Sequence, residues 1–239
     1  MTRPELVDVA ERFWQRAGMA PPEPRSVQIA VSWAHSVRVE TQPDLSIATV
    51  QSWMERQGFP VPIDDPNRRL RGCAVASAGS GLIFVDASDP ADEREFTVAH
   101  EVAHLLLDYY GPRGRGTVLI GDIAHEVFDG VREPSYPERL TAALNGEALR
   151  PFVHLLARDA NFVASAAVLT REALADELAC ELLAPMEVVR RELAETWTQA
   201  NAGTTLVERF RLPVGAAEDY ARRLARRFLP TPTFVDWLG

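Results

Sequence analysis

The segment Phe96-Thr97-Val98-Ala99-His100-Glu101-Val102-Ala103-His104-Leu105-Leu106-Leu107 sets two imidazoles and a carboxylate in an otherwise apolar run. Helix signals bracket it. Asp89 is a candidate N-cap, Pro90 suits the first helical position, and Asp92, Glu93 and Glu95 favour the positive end of the helix dipole. Gly111-Pro112 is expected to end the helix after about Tyr110. Positions four apart share a helix face, so His100 and His104 reach one metal ion. Without partners, these polar groups would be costly to bury, and a metal offsets that cost. Neutral imidazole suits zinc, and a catalytic zinc keeps one position open for water. Glu101 lies about 100° around the helix from His100, where it reaches that water without being a ligand. The pattern therefore points to metal-assisted hydrolysis of a carbonyl compound, with Glu101 as general base.

A third ligand is needed. The later stretch Arg171 to Pro185 reads as a helix on which Glu172 and Asp176 are four apart. The spacing is similar to the Glu-x-x-x-Asp of thermolysin-like zinc sites, where the Glu binds metal and the Asp takes the spare N–H of a ligating histidine. Glu177 and Glu181, about 140° and 180° from Glu172, are the reserve ligands. A donor to the tetrahedral intermediate is also required, and Tyr109, Tyr110, Tyr136 and His154 are candidates. Otherwise His35, His125 and His154 lack ligand-spaced partners and read as structural or surface side chains.

Arg94-Glu95-Phe96-Thr97-Val98-Ala99-His100-Glu101-Val102-Ala103-His104-Leu105-Leu106-Leu107 resembles the signature R-x-F-T-x-A-H-E-x-x-H-x-L-L of the ImmA/IrrE metallopeptidases. Glu172-x-x-x-Asp176-x-x-Ala179-x-Glu181-Leu182-Leu183-Ala184-Pro185 resembles their second signature, and Leu70-Arg71-Gly72 and Ile83-Phe84-Val85-Asp86 resemble the strands before the first. The resemblance implies a zincin-like fold with a small sheet beside the active-site helix. It also implies a cytoplasmic protease that cleaves a transcriptional repressor or other regulator. The chain departs from the family at Leu174, where many members carry Glu, and in the 68 residues from His104 to Glu172.

The chain has 239 residues with a formal net charge of −9, a surface that repels nucleic acid and anionic membrane. The N-terminus shows no signal peptide and no run approaches a membrane span, so the expected address is the cytoplasm. Cys73 and Cys180 sit among apolar residues and read as buried reduced thiols. Thr2-x-x-Glu5 opens a first helix to about Ala17, and Ser26–His35 and Asp44–Gln57, stopped by Gly58, follow. Val37–Glu40, Leu70–Ala76 and Gly81–Val85 read as strands, the last two joined by a tight hairpin. Short helices are expected at Glu138–Leu144 and Phe152–Ala157. Helices from about Thr170 to Ala184, Glu187–Trp197 and Leu206–Phe228, broken at Pro213, precede an extended tail from Pro230.

The fold class is α+β: a mostly helical zincin-like domain with a small sheet beside the H-E-x-x-H helix, plus extra C-terminal helices. Residues 1–200 form the peptidase domain, and 201–239 a C-terminal segment packed on it. The expected site is His100, His104 and Glu172 around one zinc ion or another divalent metal, Glu101 as base and Asp176 behind a histidine. The C-terminal arginines Arg222, Arg223, Arg226 and Arg227 loosely suggest DNA binding, but Glu208, Glu218 and Asp219 interrupt the basic stripe. The functional expectation is a zinc-dependent endopeptidase acting on a regulatory protein. The alternative is a zincin-fold regulatory or DNA-associated protein that binds without cutting.

Overall fold

The computed structural model describes residues 4–18, 24–56, 65–120, 124–129, 131–139, 152–158, 165–193 and 197–228. Thr2, Gly58, most of Glu138–Leu144 and the tail from Pro230 lie outside them.

A four-stranded sheet organises the chain. β1 (Ser36–Gln42), β2 (Leu70–Ser77), β3 (Ser80–Asp86) and β4 (Phe152–Ala157) are ordered β1-β3-β2-β4. β1 runs parallel to β3, while β2 is antiparallel to both β3 and β4. The β2–β3 hairpin turns on Ala78 and Gly79, both left-handed at φ 51 and 77, as a two-residue turn requires.

The two faces of β2 explain how the sheet is covered. Gly72, Ala74 and Ala76 are small and face one way; Cys73 and Val75 face the other. On the second face, Cys73, Val75 and Phe84 pack with Ile47, Val50 and Met54 of α3 (Ile47–Arg56). Leu70 joins that cluster because a register shift between Leu70 and Gly72 changes its side. On the first face lies α4 (Ala91–His104), whose Val98, Ala99 and Val102 join Ala74 and Ala76 in the main core.

The small residues let α4 approach the sheet closely. A Cβ added at Gly72 would lie 2.5 Å from Thr97 Cγ2 and 3.0 Å from Glu101 Oε1. Gly72→Ala is therefore expected to destabilise the fold by about 1–3 kcal/mol through overpacking. Urea unfolding measures this, and an unchanged midpoint would mean that the helix has room to recede.

The other described helices are α1 (Pro4–Ala17), α2 (Val27–Ala34), α5 (Gly111–Ile120), α6 (Ala124–Phe128), α7 (Ala166–Leu183), α8 (Met186–Leu193), α9 (Gln199–Glu208) and α10 (Val214–Phe228); α2 and α7 pack directly on α4, α1 bridges α2 and α7, and α10 packs on α7 and α9. Ser26 caps α2, and Glu95 of α4 accepts from the Val27 and Gln28 amides, tying α2 to α4. Trp14 of α1 donates to the carbonyl of Leu182 in α7. One hydrophobic cluster runs from Leu6 to Leu224, and α9 crosses position 200 without a break in it. Both cysteines are free and buried. Among the described residues no helix is long and apolar enough to cross a membrane.

Three local expectations are corrected. Phe152–Ala157 is a strand and not a short helix: β2 has a free edge, and pairing there satisfies backbone groups that a six-residue helix would leave open. Gly111-Pro112 does not stop the chain. Leu105–Tyr110 continues α4 as a π-helix and α5 (Gly111–Ile120) follows, with Pro112 in its first turn, where a missing N–H costs little. Pro90, not Asp89, is the cap of α4, because both Asp89 carboxylate oxygens are taken by Arg158.

Candidate metal centre

α4 sends His100, Glu101 and His104 toward the gap between the sheet and α7, all three 3% or less exposed. α7 begins at a Ser165 cap and places Glu172 and Asp176 one turn apart across that gap. β4 contributes His154, which pairs with Ala74 and so shares the sheet face that α4 covers. Arg158, just beyond β4, fastens this strand to the entrance of α4 through Asp86 and Asp89 at 2.7–2.9 Å.

The four side chains His100, His104, His154 and Glu172 each offer a ligand atom within 4.8 Å of the others. The Nε2 atoms of His100 and His104 lie 3.4 and 3.5 Å from the Glu172 carboxylate oxygens. Both are buried, and neither has a hydrogen-bond partner. Their other nitrogens are engaged: His100 Nδ1 with Asp176 at 2.9 Å, His104 Nδ1 with Asp108 at 2.9 Å. A carboxylate accepting from Nδ1–H selects the tautomer whose Nε2 carries a lone pair, the form that ligates metal. Two orphaned nitrogens facing one carboxylate fit a divalent cation with mixed nitrogen and oxygen ligands.

His154 stacks on His104 with ring centroids 3.7 Å apart. Its Nδ1 lies 2.8 Å from Glu101 Oε2 and its Nε2 3.1 Å from Glu172 Oε1. The other oxygen of Glu101 is buried without a partner.

The electrostatics follow from crowding acids and imidazoles together. Burial would lower the pKa of His154, but the charge of Glu101 and hydrogen bonds to Glu101 and Glu172 raise it to about 10. For His100, burial again opposes, and Asp176, Glu172 and Glu101 raise it to about 9. Burial would raise Glu172, yet the three histidine rings gathered around it hold it well below the usual carboxylate range. Protons on the imidazoles thus balance charge that a cation would otherwise balance.

Glu177 and Glu181, the reserve ligands, are engaged elsewhere. Glu177 lies 3.7 Å from Arg223, and Glu181 accepts from the Tyr220 hydroxyl at 2.7 Å and from the Met186 amide. Of the four candidate donors, His154 is the one that hydrogen-bonds Glu101. Tyr109 and Tyr110 meet the backbone of Gly79 in the hairpin, and Tyr136 is exposed. Asp108 is the residue that the sequence reading does not single out, although it stands four residues after His104. His154 is among the candidate donors, but its place beside Glu101 and Glu172 comes from β-pairing, which brings it to α4.

Residues 62–121 match the family model described as the IrrE N-terminal-like domain, a peptidase family. No curated protein and no solved structure matches the chain. The matched span holds β2, β3 and the helix with His100, Glu101 and His104, and it ends before Glu172. With a helical α+β architecture around that helix, this part of the chain is similar to the IrrE N-terminal-like domain of a peptidase family.

Proposed function

We propose that the protein is a zinc-dependent endopeptidase that cleaves a regulatory protein, such as a transcriptional repressor, in the cytoplasm. The observation that carries this reading is the pair of orphaned Nε2 atoms on His100 and His104, aimed at the Glu172 carboxylate. These three residues would hold the ion, with Asp176 and Asp108 orienting the rings from behind. When bound, zinc supplies Lewis acidity that brings the pKa of water toward neutrality and polarises a carbonyl.

The chain's own residues do the rest. Glu101 takes the proton of the attacking water as general base. His154 donates to its Oε2, which fixes the direction in which Glu101 faces. The second N–H of the same ring, which meets Glu172 Oε1 at 3.1 Å, is the group we assign to a developing oxyanion. We also take residues 201–239 as a segment packed on the peptidase domain of residues 1–200, since Tyr220 is tied to Glu181 of α7.

The test is purification, metal analysis, and incubation with regulators encoded beside the gene, read by mass spectrometry of the products. One zinc per chain and a single cut that a chelator prevents are expected. Cleavage that persists after the metal is stripped would overturn the reading.

A further inference from the structure

A cavity of about 400 Å³ opens beside His100 and Asp176. Phe96 of α4 and Leu156 of β4 line it on the side of the sheet, and Pro213, Gly215 and Ala216 line it on the side of α10. Leu156 shares a strand face with His154, two residues along, which is roughly 7 Å. An extended peptide reaching the His154–Glu101 cluster would therefore set a neighbouring side chain at this opening.

The chemistry of the walls says which side chain. Each charged group in the lining already has a partner. Arg71 meets Glu93 at 3.3 Å, and Arg223 meets Glu177 at 3.7 Å and the Ala173 carbonyl at 3.4 Å. Asp176 is held by His100, and Asp219 pairs with Arg222. Between these pairs the wall is the apolar surface of Phe96, Leu156, Pro213 and Ala216. Gly215, in the first turn of α10, has open space where a Cβ would stand.

We propose that this cavity is a specificity subsite that takes an apolar side chain next to the cleaved bond, and that α10 sets its depth through Gly215. The inference rests on the metallopeptidase reading above, and it gives the C-terminal helices a part in substrate choice.

The test uses the zinc-loaded full chain and three probes: acetyl-glycine, acetyl-leucine and acetyl-aspartate hydroxamate, with binding measured by calorimetry. Burying a leucine side chain is worth about tenfold or more in affinity, so the leucine probe should exceed the glycine probe by that factor. The aspartate probe should gain nothing. In Gly215→Phe the added ring occupies the cavity, and the leucine-to-glycine ratio should fall to about 1. Ala216→Leu is the second variant, should the first not fold as judged by circular dichroism. A ratio near 1 in the wild type, an unchanged ratio in both variants, or preference for aspartate would overturn the subsite. Failure of the glycine probe to bind a chain that retains its zinc would instead sink the accessible metal centre, and this inference with it.

Discussion

Glu101→Gln is expected to keep the fold and the metal while lowering peptide cleavage by about 10²–10⁴-fold, the usual cost of losing a general base. The amide has nearly the shape of the carboxylate, so the close contact with Gly72 is retained. Its oxygen can still accept from His154 Nδ1. Its nitrogen, however, cannot take a proton from water. Because the oxygen it replaces has no partner in the protein, the folded state loses no hydrogen bond. The measurement is a cleavage assay on wild type and variant at equal metal content, together with a cell-based readout of the regulated pathway. If Glu101→Gln retains the full biological effect, the protein works by binding, and the peptidase reading falls even with zinc in place.

His104→Ala should act differently, taking metal and activity together. It removes one of the three ligands proposed above, so zinc affinity should drop by more than the roughly 10–100-fold typical of losing a residue that only orients a ligand. Asp108→Ala supplies that milder comparison. The His104 ring would keep its Nε2, but nothing would select its tautomer or hold it in place. Competition with a chelating dye ranks the three proteins: wild type tightest, Asp108→Ala weaker, His104→Ala without stoichiometric metal. A His104→Ala protein that keeps one zinc per chain would show that the ion sits elsewhere, and the ligand set would have to be redrawn.

Much of this molecule could be read from local pattern. The helix with His100, Glu101 and His104 was legible because its apolar period and acidic first turn agree with each other. The β2–β3 hairpin was legible because small, Gly-rich residues separate two short apolar runs. Both depend on neighbours a few residues away, which a sequence displays directly.

Elsewhere local pattern gave the wrong answer. Phe152–Ala157 is too short for periodicity to decide, and an unpaired edge of β2, some eighty residues earlier in the chain, made it a strand. Gly111-Pro112 reads as a stop, yet the π-helical turn before it carries the chain on into α5.

The sequence by itself determined that His100, Glu101 and His104 stand on one helix and that Glu172 and Asp176 stand on another, because helical spacing is a property of the backbone. Tertiary structure alone decided which acid meets the histidines. It set Glu172 beside both Nε2 atoms and sent Glu181 to Tyr220, since the packing of α7 between α4 and α10 sets the rotation of that helix. It also decided that His154 belongs to the cluster. That residue arrives through the register of β4 on β2, a hydrogen-bond pattern between strands far apart in the chain that no nearby residue encodes.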